Sequence, residues 1–466
     1  MPVSNLPVWP KRRAALSMHL FYSFALTIAF LALLPYFIYQ AIRHGKYASS
    51  FKQRLGRLPE SVRSDGRRSV WVHAVSVGEF LAAKPLIEAL RRELPDWRLV
   101  VSTTTLTGQR LALAERHARF DAVFYFPFDW AFAARRSLDH IKPSLVIILE
   151  TELWPNFLRE CRRRAVLTVI ANGRISPRSF ARYRRVRRFI ARALDNVSLL
   201  VMQSEADAER ARSLGARGGS VRVCGNLKYD LVSASEISDL KSEAAEEIDD
   251  LFALSSSPHL IVAGSTAPGE ERVLLAALDE ARRRRGLTDT RLIIAPRHPE
   301  RFNEVAGIIA QSGFTFARRS EAARFSGTEI TDPRRVDVIL LDTIGELASL
   351  YRFAAVVFVG GSLVARGGHN IIEPAVYAKP IIVGPHTENF RQIVGDFAEA
   401  GAVAQVCAAG EGVTASFTRE LIRLLTDPES AKAMGARARE ILLKNGGATQ
   451  CVVQAIKEAL GTRRDD

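Results

Sequence analysis

The strongest constraint on the fold is a repeated alternation of short apolar runs with segments of helical periodicity. After residue 45 these runs are SVWVHAV, RLVVSTTT, DAVFYFPF, SLVIILE, AVLTVIANG and SLLVMQS. A second series follows with LIVAGS, RLIIAP, VDVILLD, AVVFVGG and PIIVGP. Continuous apolar strands separated by helices are typical of parallel sheets that helices cover on both faces. The sequence therefore predicts an α/β protein with two doubly wound, Rossmann-like domains.

The domain boundaries follow from a change of composition between the two series. Residues 233–258 are acidic, rich in Ser and poor in β-formers, and we predict that they form a linker. The first domain then covers residues 46–232, and the second covers residues 259–466 and includes the C-terminal helices. Ligands of such sheets bind beyond the carboxyl ends of the strands. We therefore expect the two domains to face a cleft, with the functional residues in the loops that follow strands.

An apolar segment precedes the first domain. Residues 14–42 carry no Lys, Arg, Asp or Glu, and a helix of this length can cross a hydrocarbon core of roughly 30 Å. Residues 1–45 are therefore predicted to be a single membrane anchor. A cleaved signal peptide is disfavoured because no small-residue cleavage site follows, whereas Pro35, Ser17 and Ser23 keep a helix lying in the interface as an alternative. The heavier basic cluster after the segment predicts an inner-membrane protein with cytoplasmic domains.

The chain is basic, with 65 Lys and Arg against 50 Asp and Glu and a net charge of +15. Its Arg runs lie on helix-like stretches without interleaved aromatic residues, which argues against nucleic acid as the partner. An anionic membrane surface is the preferred partner, and solvated helix faces are the alternative explanation. The four cysteines, Cys161, Cys224, Cys407 and Cys451, lie far apart. We therefore predict that the chain has neither a zinc cluster nor a disulfide framework. This cysteine usage predicts a reducing compartment.

Several common catalytic signatures are missing from the sequence. It contains no G-x-x-x-x-G-K-[ST], no G-x-G-x-x-G, no G-x-S-x-G and no H-E-x-x-H. These absences disfavour kinases, dehydrogenases, esterases and zinc peptidases. The sequence also lacks Asp-x-Asp, the usual carboxylate clamp for a metal-bound sugar nucleotide.

Carboxylates follow two predicted strands of the first domain. Glu79 ends a Ser-Val-Gly-Glu turn where a helix begins, so it is either a functional carboxylate or a helix-start residue favoured by the dipole. Glu150 and Glu152 emerge at the end of a strongly apolar strand and lie on one face if the strand persists. Because an unpaired buried charge is costly, a structural, hydrogen-bonded Glu is the alternative for this pair.

Three loops of the second domain suggest a nucleotide site. They are APRHPER, LDTIGEL and FVGGSLVARGGHNIIEPA. Gly360, Gly361, Gly367 and Gly368 permit close approach of an anion, and a helix expected near Asn370 offers N–H groups. Arg297 supplies a cation, and Glu373 is placed to accept hydrogen bonds from ribose hydroxyls. His298 and His369 lack the partner spacing of a metal site, so local hydrogen bonding is the preferred interpretation.

Taken in order, HAVSVGE, ETELWPN, IANGRIS, GNLKYD, PRHPER, GEL and GGSLVARGGHNIIEPA closely resemble the 3-deoxy-D-manno-octulosonic acid (Kdo) transferases of Gram-negative lipopolysaccharide synthesis. The resemblance spans almost the whole chain. It implies an inverting glycosyltransferase of the GT-B type that moves Kdo from CMP-Kdo to a hydroxyl of the lipid A precursor, lipid IVA. It also implies that the first domain mainly holds the acceptor and the second holds CMP-Kdo.

The resemblance also implies roles for individual residues. By position, Glu79 matches the general base, and Glu150 and Lys228 match residues that stabilise the transition state. The implied CMP contacts are Pro296, Arg297, Gly345, Glu346, Leu347, Asn370, Ile371, Ile372 and Glu373. Related sequences often read Asn-Pro-Leu-Glu where this chain has Asn-Ile-Ile-Glu, which keeps the Asn and the Glu. Because CMP leaves with a single phosphate, we expect protein donors to suffice without a metal, and no cofactor.

Two other functions remain open at this point. A membrane-associated transferase or epimerase that uses a UDP-sugar would keep the same two-domain fold, and competition between CMP and UDP for binding would distinguish it. A non-enzymatic protein that recruits an acidic lipid or protein partner would have a degenerate site. The presence of both Glu79 and Glu150 argues against that second function.

Overall fold

The structure is a computed structural model that describes residues 13–44, 48–231, 243–322, 335–406 and 412–461. The chain divides into two compact units. Unit 1 comprises Met1–Leu231 and Gly446–Asp466, and unit 2 comprises Val232–Asn445. Each unit contains one parallel sheet, as the two series of apolar runs predict. Each sheet has seven strands, whereas the series contain six and five runs, because the short strands β7 (Val221–Val223), β10 (Phe316–Arg318) and β14 (Ala404–Gln405) were not recognised in the sequence.

The sheet of unit 1 has the strand order β3-β2-β1-β4-β5-β6-β7. Its strands are β1 Ser69–His73, β2 Arg98–Thr103, β3 Ala122–Tyr125, β4 Leu145–Leu149, β5 Leu167–Gly173, β6 Leu199–Met202 and β7 Val221–Val223. Neighbouring strands run parallel throughout, so all their carboxyl ends meet at one edge. Alternate residues feed different cores: Val70 and Val72 pack on one face, and Trp71 packs on the other.

Nine helices precede the end of β7 in the described part of unit 1. They are α1 Arg13–His44, α2 Ala48–Arg54, α3 Val77–Glu93, α4 Leu106–Arg119, α5 Ala131–Ile141, α6 Pro155–Arg163, α7 Pro177–Arg185, α8 Arg187–Leu194 and α9 Glu205–Ser213. Several begin at a Ser or Thr whose side chain accepts a backbone N–H three residues later, namely Ser76, Thr105, Ser176 and Ser204. Such N-caps fix where the helices after β1, β2, β5 and β6 begin.

Unit 2 repeats the architecture with the strand order β10-β11-β9-β8-β12-β13-β14. Its strands are β8 Leu260–Thr266, β9 Arg291–Pro296, β10 Phe316–Arg318, β11 Val338–Leu340, β12 Val356–Val359, β13 Ile381–Val383 and β14 Ala404–Gln405. Its described helices are α10 Glu243–Phe252, α11 Glu270–Arg285, α12 Phe302–Gln311, α13 Arg319–Ala322, α14 Leu347–Leu350, α15 Ile372–Val376, α16 Arg391–Glu399, α17 Val413–Thr426 and α18 Pro428–Asn445. Phe358 and Phe417 meet edge to face in its core, with ring centroids 5.2 Å apart.

The predicted linker and the predicted second domain need correction. Residues 232–242 lie outside the described residues, but the rest of the predicted linker includes α10, whose Phe252 is buried in unit 2. The last helix, α19 Ala448–Gly461, belongs to unit 1 and not to the second domain. Its Val452 and Ile456 are buried in the core of unit 1. This apolar face is indistinguishable in sequence from that of any other amphipathic helix, so the sequence alone does not reveal where α19 packs.

The prediction that the chain has no disulfide is also wrong. Cys224, which follows β7, forms a disulfide with Cys451 of α19 across 227 residues of sequence. Cys161 is a free, buried thiol, and Cys407 lies outside the described residues. The return of α19 to unit 1 brings the two cysteines together, so their spacing along the chain carried no signal.

Helix α1 occupies the position of the predicted anchor. Among the residues that the structure describes, no helix is both long and apolar enough to span a bilayer, so a spanning anchor is not supported. Part of α1 instead makes polar contacts within unit 1: Asn156 Nδ2 donates to Ser23 Oγ at 2.9 Å, and Trp130 Nε1 donates to Thr27 Oγ1 at 3.1 Å. Residues 1–12 and 45 of the predicted anchor lie outside the described residues.

Candidate functional site

The carboxyl edge of each sheet contains non-glycine residues in the left-handed backbone region. In unit 1 these are Glu150, directly after β4, with φ 56°, and Asn172, near the end of β5, with φ 57°. In unit 2, Ser265 near the end of β8 has φ 56°. A left-handed conformation is strained for residues with a Cβ, and such strain concentrates at functional sites. Both sheets thus have strained backbone at the edge where the sequence predicted function.

Glu79 lies in the first turn of α3, immediately beyond the carboxyl end of β1. Its Oε2 accepts a hydrogen bond from the N–H of Val75 at 2.8 Å, and its Oε1 accepts one from Ser76 Oγ at 3.2 Å. The N–H of Glu79 in turn donates to Ser76 Oγ at 3.4 Å. These reciprocal bonds resemble a capping box, so the helix-start interpretation of Glu79 describes part of its role.

The electrostatic surroundings of Glu79 give it a second property. Burial, together with the nearby carboxylates of Glu150 and Glu152, raises the pKa of its carboxyl to about 7, against the lowering effect of the hydrogen bonds from Val75 and Ser76. Burial also raises the pKa of Glu152, with Glu150 adding to the shift. Three carboxylates from two neighbouring strand ends therefore influence one another, and Glu79 is poised to exchange a proton near neutral pH.

Glu150 is held at its position by the backbone. Its N–H donates to the carbonyl oxygen of Ala171 in β5 at 2.9 Å, which continues the sheet by one residue. The next residue, Thr151, exchanges hydrogen bonds with the backbone of Arg174, at 2.6 and 2.8 Å. The two loops after β4 and β5 are therefore fixed to each other, and the half-buried Glu150 side chain lies at their edge.

Lys228 lies in a 3-10 turn, Leu227–Asp230, that follows β7. Asn226 caps this turn because its Oδ1 accepts the N–H of Lys228 at 3.0 Å. The buried Asn172 fixes it from β5, since its Oδ1 accepts the N–H of Leu227 at 3.0 Å. Asn172 was not predicted as a site residue, although its position before Gly173 in IANGRIS is a sequence signal for a left-handed turn.

In unit 2, the loops that contain Arg297 and His369 lie close together. Pro296 ends β9, and the N–H of Arg297 donates to the carbonyl oxygen of Thr266 in β8 at 3.1 Å, while the Arg297 side chain is exposed. Burial, together with the charges of Arg297 and His298, lowers the pKa of His369 to about 4. Within the described residues, no group of three or more His, Cys, Asp or Glu side chains is arranged to hold a metal ion.

The Asn370 segment is shorter and more closed than predicted. Helix α15 has five residues, and the N–H of Ile372 at its start is accepted by Asn370 Oδ1 at 3.0 Å. Asn370 Nδ2 donates to Glu373 Oε1 at 3.2 Å, so the retained Asn and Glu orient each other. Ile371 and Ile372 are fully buried, which explains why apolar residues can stand in these two places.

In the GEL segment, residues 345–347, the Glu346 side chain already has hydrogen-bond partners within the protein, and Gly345 has a left-handed backbone. Gly345 has φ 94°, which favours glycine at this turn. The Glu346 carboxylate already accepts hydrogen bonds from Thr343 Oγ1 and from Arg319, the latter at 3.2 Å. A Cβ on Gly264 of β8 would lie 3.1 Å from Leu347 Cδ2, which shows how closely Leu347 covers the end of that strand.

The first part of the loop FVGGSLVARGGHNIIEPA, here called the glycine loop, does not have its predicted role of binding an anionic ligand. Its backbone N–H groups are occupied, because the buried Glu270 carboxylate accepts from Gly361 at 2.8 Å and from Ser362 and Leu363 at 2.9 Å. Glu270 also accepts the N–H of Ala267 at 2.8 Å. An anion does bind these donors, but it is a side chain of the protein. The sequence shows two adjacent Glu residues, Glu270 and Glu271, after Gly269, but it does not reveal which loop Glu270 contacts.

The site residues thus fall into two groups: Glu79, Glu150 and Lys228 in unit 1, and the other predicted residues in unit 2.

A family model described as 3-Deoxy-D-manno-octulosonic-acid transferase (kdotransferase) matches residues 49–231. The 3-deoxy-D-manno-octulosonic acid transferase of Haemophilus influenzae is 34% identical over 400 residues, 84% of this chain and 87% of that protein. The same enzyme of Bordetella pertussis is 32% identical over 418 residues, 88% and 91% of the two chains. The fold alone resembles UDP-GlcNAc 2-epimerase from Neisseria meningitidis, with a TM-score of 0.53, 13% identity and coverage of 84% and 100%. The chain therefore belongs to the Kdo transferase family and is a glycosyltransferase.

Proposed function

We propose that this enzyme transfers Kdo from CMP-Kdo to a hydroxyl of the lipid A precursor, lipid IVA, with inversion at the anomeric carbon and Glu79 as general base. The observation that carries the proposal is the Glu79 carboxyl in the first turn of α3, beyond the carboxyl end of β1, with its pKa raised to about 7 mainly by burial. A base whose pKa lies near the working pH combines a sizeable ionised fraction with enough basicity to take a proton.

A hydroxyl oxygen of the acceptor forms a bond to the anomeric carbon of Kdo, the bond to the CMP phosphate oxygen breaks, and the Glu79 carboxylate takes the hydroxyl proton. Positive charge develops on the sugar ring and negative charge on the leaving phosphate. Lys228 is suited to the developing anion, and Glu150 is suited to offset the cation or to hold Lys228 in place.

We propose that the loops of unit 2 bind the CMP part of the donor. The exposed guanidinium of Arg297 and the left-handed backbone at Gly367 suit a single phosphate group. Glu373, oriented by Asn370, suits the ribose hydroxyls. The other contacts in this proposal are Pro296, Gly345, Glu346, Leu347, Ile371 and Ile372. Protein donors then meet the phosphate charge without a divalent metal and without a cofactor.

We propose that the enzyme acts at the cytoplasmic face of the inner membrane. The described part of α1 leaves Phe21 and Phe24 more than half exposed, which suits contact with acyl chains at an interface. Unit 1 also has a pocket of about 800 Å³ with five cationic side chains, Arg63, Arg67, Arg68, Arg136 and Lys142. This excess of positive charge suits an anionic lipid surface and the phosphates of the acceptor. Nucleic acid is not part of this proposal.

The experiment that tests the proposal is transfer from CMP-Kdo, generated in situ, to tetra-acylated lipid IVA, with the products identified by mass. We expect a product whose mass increases by one or more Kdo residues. Inversion is tested by the anomeric configuration of the new bond, read by NMR. Competition between CMP and UDP for binding to the same preparation distinguishes the donor class, because a UDP-sugar enzyme prefers UDP.

Each outcome bears on a different part of the proposal. Binding of CMP without transfer by a folded enzyme means that the acceptor is wrong. Preference for UDP over CMP contradicts the donor assignment. Transfer with retention of configuration leaves the donor and acceptor in place and rejects Glu79 as the base of a single displacement.

A further inference from the structure

The segment that contains Lys228 is joined to α19 at both of its ends. On one side, Cys224 forms the disulfide with Cys451, with their Cα atoms 5.5 Å apart. On the other, the Asp230 carboxylate accepts the N–H of Gly447 at 2.7 Å and the N–H of Thr449 at 2.6 Å. Residues 224–230 therefore form a short bridge whose two ends are fixed to α19 and the residue that leads into it.

The disulfide is accessible, and the fold does not depend on it alone. Cys224 and Cys451 are both half-buried, whereas Cys161 is fully buried. Without the disulfide, α19 keeps its buried Val452 and Ile456 and its hydrogen bonds to Asp230. Accessible disulfides exchange with small thiols, and a reducing compartment favours the dithiol form. Opening this bond would therefore release one end of the bridge and leave the unit folded.

We infer that Cys224 and Cys451 are a reversible thiol–disulfide site that restrains the Lys228 segment and makes Kdo transfer sensitive to the thiol redox state. The part of this inference that concerns rate rests on the proposed role of Lys228. In the reductive step, the thiolate of a small thiol attacks one sulfur, breaks the Cys224–Cys451 bond and releases the other cysteine as a thiolate, which leaves a mixed disulfide. A second small thiolate attacks the small-molecule sulfur of this mixed disulfide and releases the second cysteine as a thiolate. The protein gains two thiols, and the two small thiols become one disulfide.

The chemical test uses the full-length enzyme equilibrated in glutathione buffers from fully reduced to fully oxidised. Peptide mapping by mass under non-reducing conditions should find the Cys224–Cys451 link at the oxidised end and two free thiols at the reduced end. Hydrogen exchange of the peptide that covers residues 225–231 should be faster in the reduced form. The melting temperature of unit 1 should fall by roughly 5–10 °C on reduction.

The kinetic test compares wild type with Cys224→Ser, and with Cys161→Ala as the matched control. We expect reduction to lower kcat of the wild type by roughly 2–10-fold, with less change in KM for CMP-Kdo. Cys224→Ser should match the reduced wild type under all buffers, while Cys161→Ala should still respond to glutathione.

Three results would overturn the inference: no Cys224–Cys451 link in oxidising buffer, a link that persists in reducing buffer, or equal hydrogen exchange of residues 225–231 in the two forms. If the wild type shows no Kdo transfer at all, the proposed function fails. The mapping and hydrogen-exchange results would still decide whether the disulfide forms, opens and restrains the segment. A rate that is equal in the two forms, with exchange that differs, would reject redox control of transfer.

Discussion

The Oε2 atom of Glu79 lies 2.8 Å from the backbone nitrogen of Val75 and accepts its hydrogen bond. This bond connects the start of α3 to the turn after β1, and it stabilises the ionised carboxylate. Burial and the carboxylates of Glu150 and Glu152 act in the opposite direction and raise the pKa to about 7. The same side chain therefore holds the helix start and stays within reach of protonation near neutral pH.

The first prediction concerns the pH dependence of transfer. Because the base must be ionised, kcat/KM should rise with pH by about tenfold per unit below pH 7 and level off above it. A pH–rate profile that extends about two pH units to either side of this pKa checks the prediction. A flat profile in which chemistry limits the rate would contradict the assignment of this pKa.

The same pKa shift lowers the stability of the folded protein as the pH rises, whereas the transfer rate is expected to increase. A carboxyl whose pKa is raised in the folded state binds a proton more tightly there than in the unfolded chain. Its contribution to stability is therefore fully present below pH about 4.5, its ordinary pKa, and is lost as the pH rises through about 7. Glu79→Gln should remove this part of the pH dependence of unfolding, as measured by denaturant titration at several pH values.

The second prediction concerns binding of the donor phosphate by Arg297. Arg297→Ala should weaken CMP binding by roughly 10–100-fold because it removes a charge-assisted hydrogen bond. Isothermal titration calorimetry with CMP measures the change. Arg391→Ala, at another exposed arginine of unit 2, is the control and should bind CMP as the wild type does. Equal affinity of the two variants would remove Arg297 from the donor site.

The third prediction concerns the buried Glu270. Glu270→Gln leaves one oxygen to accept hydrogen bonds and turns an NH₂ group toward two backbone donors, so unfolding should cost about 2–5 kcal/mol less than in the wild type. Because the loop from Gly361 leads to Asn370, KM for CMP-Kdo should rise more than kcat falls. Denaturant unfolding and steady-state kinetics measure both effects.

The control for Glu270 is Glu304→Gln. Glu304 is exposed and forms an ion pair with Arg301 at 3.0 Å. Loss of this ion pair should change the free energy of unfolding by less than about 1 kcal/mol. If Glu270→Gln is no less stable than this control, the three backbone bonds from Gly361, Ser362 and Leu363 do not hold the loop.

The fourth prediction concerns metal removal. Incubation with EDTA, followed by desalting, should leave the rate of Kdo transfer unchanged within about twofold, since protein donors are proposed to meet the single phosphate. The rate should be measured again after Mg²⁺ is restored. Loss of activity with EDTA and its recovery with Mg²⁺ would contradict the metal-free mechanism.

The main features of the fold could be predicted from the sequence because of how parallel sheets are built. A strand such as Leu145–Leu149 is buried on both faces, so it is a continuous apolar run that local sequence reveals. The destination of α19 could not be predicted in this way. Its apolar face fits any core, and the link between Cys224 and Cys451 depends on 227 residues of intervening chain.

The place of the candidate residues in the fold was predictable to a similar degree, whereas their roles stay predictions. Loops after strands led to Glu79 and Arg297, because the carboxyl ends of parallel strands share one edge. The partner of a buried charge was not predictable. Glu270 binds the loop at Gly361, and these two positions are separated by 91 residues in sequence. Likewise, the left-handed conformation of Glu150 follows from the meeting of β4 and β5, which local sequence does not encode.

The most direct test of the central claim is the rate of Kdo transfer by Glu79→Gln beside Asp207→Asn. The amide of the Glu79→Gln variant would keep an oxygen that can accept the Val75 hydrogen bond but cannot act as a base. Asp207 holds the equivalent position in α9, where its N–H donates to the N-cap Ser204, and it serves no proposed catalytic role. We predict that folded Glu79→Gln loses about 10²–10⁴-fold in kcat while Asp207→Asn keeps the wild-type rate. Near wild-type transfer by Glu79→Gln would contradict the account.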